Sequence, residues 1–110
     1  MSECIFCRII DKQIPAKIVF EDEDMLVFHD IQPKAPVHLL LIPKKHIASL
    51  AHTEPEDALL LGKLLTKTRQ LAEEAGLGNG YKVLINTGEG GGELHADDEP
   101  ACKQFLRNSP

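Results

Sequence analysis

Met25-Leu26-Val27-Phe28-His29-Asp30-Ile31 is a short run of aliphatic, β-branched and aromatic residues, and Val37-His38-Leu39-Leu40-Leu41-Ile42 repeats that character after Pro33 and Pro36. Apolar runs this short, bounded by prolines and acidic residues, read as strands. Residues 17–21 form a further strand, joined to 25–31 as a hairpin around the acidic turn Glu21-Asp22-Glu23-Asp24, and Pro43 ends the strand at 37–42. Downstream, Thr53 followed three residues later by Glu56 has the form of a capping box, worth about 1 kcal/mol, and sets a helix start. From there Leu61, Leu64, Leu65, Thr68, Leu71, Ala72 and Ala75 recur at threes and fours, a stripe that needs a sheet or helix to cover it. Gly76 supplies a left-handed C-cap, and Gly78-Asn79-Gly80 turns the chain into a fourth strand at 81–86, with Tyr81, Val83 and Ile85 on one face. Upstream of the hairpin, residues 4–10 make a short helix with Ile5, Phe6 and Ile9 together. Helix, three strands, helix and strand in that order give an α+β domain with an antiparallel sheet.

A chain of 110 residues, 43% hydrophobic and 26% charged, holds one compact domain. No apolar run approaches the roughly 20 residues that span a bilayer, and the Met1-Ser2-Glu3 start lacks the basic flank and apolar stretch of a signal peptide. A cytoplasmic protein with no membrane partner is expected. Lys plus Arg number 12 against 17 for Asp plus Glu, a formal charge of -5, which argues against duplex nucleic acid while leaving room for a single nucleotide.

The domain is expected to span residues 1–92. Residues 93–110 read as a divergent acidic tail: Glu93-Leu94-His95-Ala96-Asp97-Asp98-Glu99-Pro100 has neither strand alternation nor a helical stripe, and poor order is expected there. At most, residues 101–106 make one helical turn with little to bury.

Several residues are candidates for chemistry. Asp30 ends a strand just before a proline loop, a position where ligands meet side chains held on a rigid edge; an exposed turn carboxylate is the plain alternative. His38 lies within an apolar strand on the face of Leu40 and Ile42, as a core or rim histidine or as a ligand. Asn86 closes a strand before Thr87-Gly88-Glu89-Gly90-Gly91-Gly92, whose backbone amides can approach an anion closely, although the run is neither a Walker loop nor a Rossmann fingerprint. Cys4 and Cys7, one C-x-x-C pair, would with His46 offer three ligands to a structural zinc, the fourth being His29, His52, His95 or Cys102; the alternative is a pair of small thiols on the first helix. Lys44-Lys45-His46 reads as a solvated basic turn. No organic cofactor is expected.

Taken together, Cys4-Ile5-Phe6-Cys7-Arg8-Ile9-Ile10, Ile14-Pro15-Ala16-Lys17, Phe28-His29-Asp30-Ile31-Gln32-Pro33, Ala35-Pro36-Val37-His38, Ile42-Pro43-Lys44-Lys45-His46 and Asn86-Thr87-Gly88 closely resemble the histidine triad nucleotide-binding family, in the purine nucleoside phosphoramidase-like branch. The resemblance runs from about Cys4 to Gly92. It implies a purine nucleoside monophosphate or nucleotide conjugate as ligand, with Ile5, Phe6, Ile9, Phe28 and Ile31 lining the base pocket and Asp30 on the ribose hydroxyls. Asn86 and the glycine loop through Gly92 would face the phosphate, and His38 matches the family's additional histidine outside the triad. It also implies a homodimer, formed through the long helix and the fourth strand.

The family's reaction is hydrolysis of nucleoside phosphoramidates or related conjugates. A fifth strand bearing His-x-His-x-His follows the glycine loop, and the middle histidine attacks the α-phosphate to form a nucleotidyl-histidine intermediate. That motif is absent from this sequence, so the nucleophile carries over to no position and no catalytic residue is assigned; the fifth strand is expected to be missing or altered. Binding without catalysis is therefore the leading expectation, and a non-catalytic dimeric scaffold with a vestigial pocket is the alternative. The abrupt change at a glycine-rich stretch suggests a reading-frame change or altered C-terminus, which the encoding nucleotide sequence would reveal.

Overall fold

The computed structural model describes residues 5–30, 36–47, 49–85, 87 and 104–107, with the side chains at 5–7, 104 and 105 outside the description. Helix α1 (Ile5–Ile10) leads into strands β1 (Ile18–Glu21), β2 (Met25–His29) and β3 (His38–Pro43), then helix α2 (Ala58–Glu74) and strands β4 (Lys82–Leu84) and β5 (Gln104–Arg107). The five strands form one antiparallel sheet in the order β1-β2-β3-β5-β4. Among the described residues, no helix is long and apolar enough to cross a membrane.

The apolar runs of β2 and β3 are continuous because both faces of the sheet centre are covered. On one face Met25, Val27, Leu39, Leu41 and Leu106 pack with Leu64, Leu71, Ala72 and Leu77 from α2 and the turn after it. On the other, Leu26, Phe28, Leu40 and Ile42 pack with Ile9 of α1, with Ile14, Ala16 and Leu84 at the margin. The β1–β2 turn is fixed by Asp22, whose Oδ1 accepts the backbone N–H groups of Asp24 (2.8 Å) and Met25 (2.9 Å).

Three expectations need correction. Helix α2 is not capped by Thr53 and Glu56: the Thr53 hydroxyl donates to the Leu50 carbonyl (2.8 Å), while the Glu54 amide donates to Asp57 Oδ2 (2.9 Å) in the 3-10 turn Pro55–Asp57 that opens into α2. The stripe is narrower than its spacing suggests, since Leu64, Thr68, Leu71 and Ala72 are buried but Leu65 and Ala75 are exposed. The tail supplies a strand rather than a helical turn at residues 104–106. There Leu106 is fully buried, because β3 and β4 offer backbone partners on both sides and α2 covers its side chain. The rest of the acidic tail lies outside the described residues. The C-cap expectation stands: Gly76 has φ +76, Leu77 N–H bonds the Ala72 carbonyl (2.9 Å) and Gly76 N–H that of Glu73 (3.2 Å), a Schellman turn that drops Leu77 into the core.

The basic cluster after β3 is solvated at Lys45 and His46, and both of its lysines are ion-paired. Lys44 Nζ holds Glu21 Oε2 (2.7 Å), and Lys45 Nζ holds the buried Asp57 Oδ1 (2.5 Å). The Lys45 ammonium, with the Glu54 amide, keeps the Asp57 carboxyl below its ordinary 3.8, and Asp57 in turn raises Lys45 above 10.5. A lowered carboxyl stabilises the fold fully above its unfolded value and loses that contribution as pH falls through the lower folded value; a raised lysine contributes fully below 10.5 and loses it as pH rises through the higher folded value. Thermal stability should therefore fall in both acid below about 3.8 and strong alkali. The Asp57→Asn variant, melted across the same pH series, should lie below the wild type at neutral pH with a flatter profile at both ends.

Candidate functional site

The chain reverses from β2 to β3 with its backbones still joined: Asp30 N–H donates to the His38 carbonyl (3.0 Å), one step beyond the His29–Leu39 pair. Side chains alternate along a strand, so Asp30 shares a face with Phe28, and His38 with Leu40 and Ile42. Phe28, Leu40 and Ile42 belong to the α1-side cluster, which sets Asp30 and His38 on that side of the sheet. The two meet there: His38 Nε2 lies 3.4 Å from Asp30 Oδ2, with the histidine side chain buried and the carboxylate about a quarter exposed (2% and 23%). A partly exposed carboxylate on the rim of an apolar patch, beside a buried imidazole, is an acceptor for ligand hydroxyls.

The next strand over is β5, and its register puts Arg107 opposite His38 and Lys82 of β4 opposite Arg107. Directly paired residues of an antiparallel sheet project to the same face, with neighbouring strands about 4.8 Å apart. Asp30, His38, Arg107 and Lys82 thus form one row across the sheet, a carboxylate at one end and two cations at the other. Arg107 Nε is buried and has no hydrogen-bond partner among the described residues, and neither Arg107 nor Lys82 is ion-paired among them.

Of the expected site residues, the structure brings together Ile9 and Phe28 in one cluster and Asp30 with His38 on the same face. Ile5 and Phe6 lie on α1 beside Ile9, their side chains outside the description, and Ile31, Asn86 and Gly92 lie outside the described residues. For zinc, Cys4 is outside the described residues and Cys7 is placed only as part of α1, while His46 is exposed just after β3. Among the described residues no three His, Cys, Asp or Glu side chains group as metal ligands. Sequence reading missed Arg107 and Lys82, because nothing but strand register relates them to His38. A separate open groove of about 570 Å³ lies on the α2 side, between the β1–β2 turn and α2, bridged by Lys63 Nζ to Asp24 Oδ2 (2.9 Å); none of the row residues lines it.

This fold is that of known proteins. Residues 3–89 match the family model described as "Scavenger mRNA decapping enzyme C-term binding". Protein HitA of Neisseria gonorrhoeae is 56% identical over 93 residues, covering 84% of this chain and 87% of that protein. The crystal structure of a HIT family hydrolase from Legionella pneumophila superposes with a TM-score of 0.90 at 40% identity, over 97% of this chain and 93% of that one. A histidine triad nucleotide-binding protein from Candida albicans gives a TM-score of 0.81 at 31% identity, over 96% and 76%. The chain belongs to the histidine triad family, whose members among these relatives are hydrolases and nucleotide-binding proteins.

Proposed function

We propose that this chain binds purine nucleoside monophosphates or nucleotide conjugates without carrying out the family's hydrolysis. The observation behind this reading is the composition of β5. The fifth strand, where the family resemblance places His-x-His-x-His, is Gln104-Phe105-Leu106-Arg107 here, with His38 of β3 opposite Arg107 and Asp30 beside His38, while Phe28 and Ile9 share one apolar cluster. Asp30 accepts hydrogen bonds from the ribose hydroxyls and His38 holds it in place. Removing such a charged acceptor costs about 1.5 to 3 kcal/mol. Asp30→Ala should weaken adenosine or guanosine monophosphate binding roughly ten- to a hundredfold by calorimetry. Equal affinity for the variant and the wild type would remove Asp30 from the site.

The same reading includes a homodimer. Strand β4 is an edge of the sheet, paired only to β5 among the described residues; Val83 on it (37%) and Tyr81 just before it (41%) are exposed apolar side chains, and α2 exposes Leu59 (72%) and Leu65 (53%). An open edge beside apolar surface favours pairing with a second copy about a two-fold axis. Sedimentation at micromolar concentration should show a dimer, and Val83→Asp should shift it to monomer. A monomeric wild type would rule out this assembly.

A further inference from the structure

We infer that Arg107, seconded by Lys82, is the phosphate-recognition end of this site and makes the chain select a nucleoside 5′-monophosphate over the uncharged nucleoside. This deepens the proposed nucleotide binding and rests on it. The row across the sheet has a polarity: Asp30 at the β2 end, His38 on β3, Arg107 on β5 and Lys82 on β4. With adjacent strands about 4.8 Å apart, the two cations begin about one strand spacing beyond His38 and end about two beyond it. A nucleotide held by its ribose hydroxyls on Asp30, with its base toward Phe28 and Ile9, runs its 5′ end along this row.

Four other lysines are already committed. Lys44 is held by Glu21, Lys45 by Asp57, Lys63 by Asp24 and Lys12 by Glu21. Arg107 and Lys82 have no such carboxylate among the described residues, and the buried Nε of Arg107 is one of the donors that a phosphate oxygen satisfies. A guanidinium presents its N–H groups as a planar fork matched to two phosphate oxygens, and Lys82 adds a point charge. In a chain of net charge -5, this local pair of cations is what draws in a dianion.

Calorimetric titration with adenosine monophosphate and with adenosine tests the inference on the wild type, Arg107→Gln and Lys82→Gln. The wild type should bind the monophosphate about tenfold or more tightly than the nucleoside, with an affinity that falls as salt rises. Arg107→Gln should bring the two ligands together while leaving adenosine affinity unchanged, which also shows that the variant is folded. Lys82→Gln, at an exposed side chain, should weaken the monophosphate alone by a few-fold. An Arg107→Gln variant that keeps the wild-type preference overturns the inference, and so does a wild type that binds both ligands equally. Should Arg107→Gln fail to fold, the Lys82→Gln titration decides, an undiminished preference counting against the cationic row. Failure of the wild type to bind either ligand would overturn the proposed function itself, whereas adenosine binding without phosphate preference would overturn only this inference.

Discussion

Leu106→Ala is expected to cost about 2–5 kcal/mol of folding stability, the range for emptying a well-packed core leucine site. Leu106 is fully buried and packs in the cluster shared by β2, β3 and α2. It also lies between Leu39 of β3 and Val83 of β4 in register, so it sits where two strands meet under a helix. Urea unfolding should show the loss, and Leu50→Ala is its internal control. Leu50 lies in the 3-10 turn Leu50–His52 and is 42% exposed, so its truncation should move stability by no more than about 0.5 kcal/mol. Removing residues 104–110 altogether should do more than either substitution. The strand order β3-β5-β4 leaves β4 with no other partner among the described strands, so losing β5 detaches β4 and bares the backbone of β3. A truncated chain that stays soluble and melts like the whole one would show that β5 is not part of the native sheet.

The contrast between Leu65 and Leu106 shows where the sequence speaks and where it falls silent. Strands β2 and β3 were legible because residues buried on both faces leave an unbroken apolar run. Likewise, α2 was legible because a long amphipathic period survives an error at one position. Its start was misread because two overlapping patterns, Thr53 with Glu56 and Glu54 with Asp57, each satisfy a capping box; the choice fell to Lys45, which holds Asp57 from another segment of the chain. Strand β5 could not be seen at all. Four residues, Gln104-Phe105-Leu106-Arg107, carry too little periodicity, and what makes them a strand is a gap between β3 and β4 that satisfies backbone groups on both sides. The site divides the same way. Asp30 and His38 stand out as polar residues at the ends of apolar strands, whereas Arg107 acquires meaning only through its register with His38.

A nucleoside phosphoramidate is expected to be bound by this chain and left intact. Hydrolysis through a nucleotidyl-histidine requires an imidazole nitrogen in line with the α-phosphorus and a neighbouring group to pass the proton to the leaving amine. On the sheet face that holds Asp30, β5 presents Arg107, whose guanidinium can neutralise a phosphate oxygen but does not attack phosphorus. His38 is buried with its Nε2 toward the Asp30 carboxylate, and the proposed function gives it a supporting role beside Asp30 rather than that of nucleophile. Charge stabilisation and orientation survive the loss of a nucleophile, but deleting the covalent group itself is costly: in a serine protease it lowers turnover by about a millionfold. Release of the amine from a fluorogenic nucleoside phosphoramidate should therefore stay at the buffer rate, while the same compound competes with adenosine monophosphate for binding. His95, which lies outside the described residues, provides the decisive control. Hydrolysis at the rate of family hydrolases that His95→Ala abolishes would make the tail the source of the nucleophile. Hydrolysis that the variant leaves untouched would place the nucleophile elsewhere in the chain, and either result would end the reading of this protein as a binder alone.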